Sequence, residues 1–138
     1  MNQELIFWPI VAQMLLTLLL FVRLGMVKGR ARAAGAVDLS ASALDNDAWP
    51  DEVRKVANSI RNQFQLPVLL YVMALAFFAL RAVDVYALGV AWLFVGSRVV
   101  HAYVHTSSNH VPTRTGVFKF GTVCIIGLFA LLVRALLS

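Results

Sequence analysis

Charged side chains are few: they make up 14% of the 138 residues, and only seven are acidic. An ordinary soluble domain carries about a quarter. Cysteine is nearly absent, since Cys124 stands alone midway along an apolar stretch. That excludes an intrachain disulfide and a zinc-type thiolate cluster, and says nothing about redox compartment. There is no Gly-rich phosphate loop, internal repeat or low-complexity tract, so P-loop nucleotide chemistry and solenoid architecture are excluded. The formal net charge of +5 is spread over separate basic residues without a DNA- or RNA-binding motif, so no nucleic-acid partner is expected. Anionic lipid headgroups and membrane topology account better for these residues.

What the chain has instead is apolar surface: 60% hydrophobic residues and a mean hydropathy of +0.77. A core of this size cannot hide that much, so the surplus must face lipid. A bilayer core of about 30 Å needs roughly 20 helical residues per crossing. Four segments meet that length or approach it. Leu5 to Val22 is free of charge, and Leu66 to Leu80 becomes long enough once Asn62 to Gln65 are counted. Val85 to Val104 carries Arg98 and His101, and Val117 to Val133 carries only Lys119, near enough to an end to snorkel. The expected fold is all-α, an integral membrane four-helix bundle forming one domain over 1–138, with helices at about 5–23, 50–80, 84–106 and 115–135.

The first segment does not read as a signal peptide, because Glu4 precedes it and the basic cluster Arg23, Lys28, Arg30 and Arg32 follows it. Loops one (23–61) and three (105–116) hold eight of the twelve Lys and Arg, against Arg81 and Arg134 on the opposite face. The positive-inside rule then places both loops in the cytoplasm and both termini outside. Trp8, Trp49 and Trp92 read as interfacial anchors, and Gln13 with Thr17 marks the face of helix one that packs within the assembly.

Helix two should start near Pro50, with Asp47 as cap and Asp51 and Glu52 complementing its dipole. Pro67 should kink it by freeing the carbonyl of Gln63. The short link Arg81 to Asp84 makes helices two and three antiparallel neighbours.

Two polar stripes meet at the cytoplasmic ends of that pair. Arg54, Asn58, Arg61, Asn62 and Gln65 recur at spacings of three and four on helix two, and Arg98, His101, His105 and Asn109 do so on helix three. Polar groups at membrane depth are costly against lipid, so both stripes should turn inward. They describe a cationic, amide-rich cleft without an acid at its depth, suited to an anionic guest. Plainer readings exist for the same residues: headgroup contacts for Arg54, Lys55 and Arg61, interhelical hydrogen bonds for Asn62 and Gln65, and a satisfied pair for His101 and His105. The histidine spacing also fits a metal pair, but no Cys, Asp or Glu joins it, and no metal is expected.

The run Ala57 to Tyr71, ANSIRNQFQLPVLLY, followed by Arg98 to His105, RVVHAYVH, resembles the second and third helices of the MAPEG family, the membrane-associated proteins in eicosanoid and glutathione metabolism, and is most similar to its bacterial branch. Length, helix number and the long first loop agree, so the resemblance covers essentially the whole chain. It implies a homotrimer in a bacterial inner membrane, with glutathione as cofactor between neighbouring subunits near the cytoplasmic face. Asn62 matches the asparagine of the family's Arg-x-x-x-Asn-x-x-Glu pattern, while Asn58 stands at the arginine position and Gln65 at the glutamate position. Arg98, His101 and His105 stand where the family has an arginine and two tyrosines, and Arg114 lies near its thiol-activating arginine.

The resemblance thus implies a glutathione-dependent transferase or peroxidase acting on lipophilic electrophiles. Arg114 or Arg98 would stabilise the thiolate, and Asn58, Arg61, Asn62, Gln65, His101 and His105 would hold the cofactor. The alternative is a non-catalytic membrane protein that binds an anionic lipid or amphipathic ligand in the same cleft.

Overall fold

The computed structural model describes residues 1–138, and every long element in it is helical. A 3-10 turn at Gln3–Ile6 leads into α1, Phe7–Ala33. A one-turn helix α2, Leu39–Ser42, and a 3-10 turn at Asn46–Ala48 follow. Then come α3, Asp51–Gln63, and α4, Leu66–Ala79, with α5 at Val85–Thr106 and α6 at Val111–Leu137. Four spans are long and apolar enough to cross a membrane: Gln3–Ala33, Asp51–Ala79, Val85–Thr106 and Val111–Leu137.

Several boundaries differ from those read in the sequence. Helix α1 runs ten residues past Arg23, because Lys and Arg sustain a helix as well as apolar residues do. It stops at Gly35, whose φ of +64° suits glycine. There Ala36 N–H donates to the Ala31 carbonyl and Gly35 N–H to that of Arg32, both at 3.0 Å, which is a Schellman ending. Helix two is broken rather than kinked. Pro67 has no N–H for the Gln63 carbonyl and its ring crowds it, so α3 ends at Gln63 and α4 begins afresh with Pro67 in its first turn. Asp47 does not cap α3, whose N-cap is Pro50; it lies in the preceding 3-10 turn and pairs with Arg54 at 2.9 Å. Helix α6 starts at Val111, so Arg114 sits on its first turn and not in a loop.

The core has two parts. One fills the middle and far end of the bundle with Ile6, Leu70, Phe77, Phe94, Ile125 and Leu128, and Cys124 packs into it. Helices α5 and α6 pack most closely, at Gly121, where an added Cβ would lie 2.9 Å from Ser97 Oγ. The other part, with Leu20, Val27, Val53, Val56 and Ile60, joins α1 to α3 and is closed by Trp49. That indole is 6% exposed beneath Lys28, whose Nζ lies 4.7 Å from the ring centroid, so Trp49 is a packed residue and not an interfacial anchor.

Side-chain bonds pin both ends. Far from the basic residues, Gln3 exchanges two hydrogen bonds with the backbone of Val83, and Asp84 caps α5 while pairing with Arg134 at 3.0 Å. At the basic end Arg23 donates to the hydroxyl and carbonyl of Thr106, and Lys55 to the Ser107 carbonyl, tying α1 and α3 to the end of α5. Between the ends, Gln13 Nε2 donates to Gln63 Oε1 at 2.8 Å and Gln63 Nε2 to the Ser59 carbonyl at 3.1 Å. Gln13 therefore packs within its own chain, against the helix break.

Candidate functional site

The break between α3 and α4 shapes the polar region. Helix α3 ends with its last carbonyls turned towards α5, and Arg98 Nη2 donates to the Asn62 carbonyl at 3.4 Å. This is the only hydrogen bond of a guanidinium that is 1% exposed. Its Nε and Nη1 have no partner, no carboxylate pairs with it, and its Cζ lies over the Phe118 ring, 5.9 Å from the centroid. One and two turns along α5 lie His101 and His105, both buried, their rings edge to face with centroids 5.7 Å apart. The Nδ1 atoms of both are buried and unpartnered as well.

These groups gather at one cavity. About 230 Å³ is lined by Asn62, His101, His105, Arg114, Thr115 and Phe118. Arg98 lies beneath it, and Arg114, held by a hydrogen bond to Asn109 Oδ1, stands at its mouth. A second compartment of about 240 Å³ has no apolar lining and shares His105 and Arg114 with the first; Asp51, Arg54, Lys55, Asn58 and Asn109 complete it. Together the two form a polar cleft between α3, α5 and α6 at the basic end of the bundle.

Of the residues expected at the site, Asn62, His101, His105 and Arg114 come together over Arg98, and Asn58 stands at the rim. Two do not join them. Arg61 is exposed and opens onto a different cavity beside α1, and Gln65 is exposed beyond the break, away from the cleft. The inward turn expected of both stripes holds for α5 and, on helix two, for Asn62. Residues that the sequence reading passed over are Thr115 and Phe118, which line the first compartment, and Asp51, the single acid of the second. For Asp51 the signal was present, as it lies seven residues, two turns of α3, from Asn58.

A groove of about 650 Å³ runs along the outer side of α5 and α6, lined chiefly by Trp92, Leu93, Val100, Val117 and Phe120 over Gly89 and Gly96. The four membrane helices and the polar end of the third are the frame expected from the sequence, and residues 6–134 match the MAPEG family. The chain belongs to the MAPEG family. No curated protein and no solved structure matches it. Its place in that family fixes a four-helix integral membrane protein, and many MAPEG members use glutathione.

Proposed function

We propose that this MAPEG protein is a glutathione-dependent transferase or peroxidase acting on lipophilic electrophiles taken from the bilayer. One observation carries the reading: His101 and His105 line a cavity that has no acid in its lining, each with a buried, unpartnered Nδ1, and Arg98 on the same stripe of α5 adds two more unpartnered nitrogens. Buried polar groups are normally satisfied, and a cluster of orphans around a polar cavity points to a ligand that completes them.

The donor set fits glutathione, with its two carboxylates, ammonium and thiol. Arg114 lines the cavity and Arg98 lies beneath it, so both favour an anion there, and a cation beside a thiol favours the thiolate. The Asn62 amide can donate or accept, and a neutral imidazole Nδ1 accepts from an ammonium. Lys55 suits a carboxylate in the outer compartment, where Arg54 is already paired with Asp47 and Asp51. Asp51 offers there the acid that Gln65 does not. The cofactor's chemistry is that of a sulfur nucleophile, which would form a carbon–sulfur bond as a leaving group departs with its electron pair, or would reduce a hydroperoxide to an alcohol and water as two glutathione thiols are oxidised to the disulfide. The protein holds the anion, excludes water and brings the electrophile alongside. The apolar groove on α5 and α6, beside Thr115 and Phe118 in sequence, suits a lipophilic substrate.

By family resemblance the working unit is a homotrimer in a bacterial inner membrane, with the basic end cytoplasmic. The test is glutathione binding to purified protein in mild detergent, with ultraviolet difference spectra in the thiolate band. Saturable binding that Asn62→Ala abolishes, with assembly intact, is expected. No saturable binding at millimolar glutathione would overturn the reading.

A further inference from the structure

The cavity beside α1 is separate from the histidine cleft. About 220 Å³ is enclosed by Lys28 of α1, Asp47 and Trp49 of the connecting segment, and Arg54, Asn58 and Arg61 of α3. Arg54 is neutralised by Asp47 at 2.9 Å and Asp51 at 3.3 Å. Lys28 and Arg61 have no acidic partner, whereas Arg30 on the same side pairs with Glu52 at 3.0 Å. Two uncompensated cations therefore face one enclosed polar space, with the amides of Asn46 and Asn58 beside them.

Its depth indicates the guest. The charge-free run of α1 ends at Val22, and Lys28 lies six residues, about 9 Å, beyond it. Arg61 is one turn from Phe64, which is 61% exposed, and Phe64 meets Phe21 edge to face with centroids 6.4 Å apart. The cavity thus stands at the level of the lipid headgroups, above an apolar surface that includes the exposed Phe64 and the exposed Phe21, which lies seven residues, two turns, below Lys28 on the same face of α1. A soluble anion has no use for that surface, whereas the acyl chains of a phospholipid do.

We propose that this cavity binds the phosphate of an anionic phospholipid headgroup, with Lys28 and Arg61 as its ligands and the acyl chains lying along Phe64 and Phe21. The site shares its α3 wall with the glutathione cleft through Arg54 and Asn58 but needs no glutathione for its own occupancy.

The test is lipid titration of the full-length protein in neutral maltoside detergent, read by native mass spectrometry. Phosphatidylglycerol should bind saturably and phosphatidylcholine should not. Each juxtamembrane cation contributes about 1 kcal/mol to anionic-lipid binding, or about fivefold in affinity. Lys28→Gln with Arg61→Gln should therefore lose about 25-fold, and the charge-preserving pair Lys28→Arg with Arg61→Lys should lose little. Arg30→Gln, an equal loss of charge on the same side, should change affinity less than twofold. An Arg30→Gln loss equal to the others would reduce the effect to diffuse attraction and overturn the site. Equal binding of the two lipids by the unaltered protein would overturn it even where the double variant fails to fold. Displacement of phosphatidylglycerol by millimolar inorganic phosphate would reassign the cavity to a soluble anion.

Discussion

Replacing Arg98 with Met should make the empty protein more stable and the ligand-bound protein less so. Methionine is close in length and flexible enough to fill the same space. The guanidinium it removes is 1% exposed, with Nε and Nη1 unpartnered and no acid paired with it. Leaving a buried donor unsatisfied costs about 1–3 kcal/mol, and Arg at the centre of a membrane helix costs about 2.5–3.5 kcal/mol on insertion scales. Against this stands one long bond, Nη2 to the Asn62 carbonyl at 3.4 Å, of the kind that contributes about 0.6 kcal/mol between membrane helices. The net is a gain of about 1–2 kcal/mol for Arg98→Met without ligand. With ligand the order reverses, because a ligand at 100 times its Kd stabilises the native state by about 2.7 kcal/mol. Only the unaltered protein should keep that gain in full. The assay is thermal unfolding of purified protein in mild detergent, with and without glutathione. A variant that unfolds earlier than the parent in the absence of ligand would refute the reasoning, since it would mean that Arg98 is fully satisfied in the assembled protein.

Gly121→Ala should destabilise by about 1–3 kcal/mol, because the new methyl meets a Ser97 hydroxyl fixed by its 2.6 Å bond to the Phe94 carbonyl. Gly25→Ala has open space around it and should stabilise by up to about 1 kcal/mol through helix propensity; unfolding midpoints of the two variants check the pair. Gln13→Leu removes the donor to Gln63 Oε1 and should cost about 0.6–1.7 kcal/mol, while the same change in a Gln63→Leu background should cost less. Reporter fusions at Gly35 and Ser138 should report opposite compartments, since the basic residues gather at one end of the bundle; the same compartment for both would refute the proposed topology.

The bundle was legible because its signal is long-range and additive: four apolar runs of span length leave few alternatives. The stripe on α5 was legible for a related reason, as one unbroken helix carries Arg98, His101 and His105 at constant phase. The stripe on helix two was only partly so. Residues 58, 62 and 65 share a face only if the helical phase runs on through all of them, and the break after Gln63 resets it. Asn62 lies before the break and reaches the cleft, whereas Gln65 lies after it and turns out. Periodicity could register Pro67 as a disturbance, but whether a proline kinks or breaks a helix depends on what holds the freed segment. Here Gln63 is held by Gln13 and by the Ser59 carbonyl, a bond across 50 residues that no local pattern contains.

Bonds of that kind also sharpen the argument for the site. At Gly35, Asp84 and Gln3 the chain meets its backbone and amide requirements with a dedicated partner, even where the partner is far away in sequence. The same helix break, with an acid in reach of evolution's alphabet at any neighbouring position, leaves Arg98 with one long bond and the two histidines with unpartnered nitrogens. A buried cation that served only packing would be improved by an apolar residue or by an acidic partner. A sequence that places four of its six buried, unpartnered side-chain polar atoms on one stripe beside a polar cavity is giving up stability in the place where a ligand would restore it.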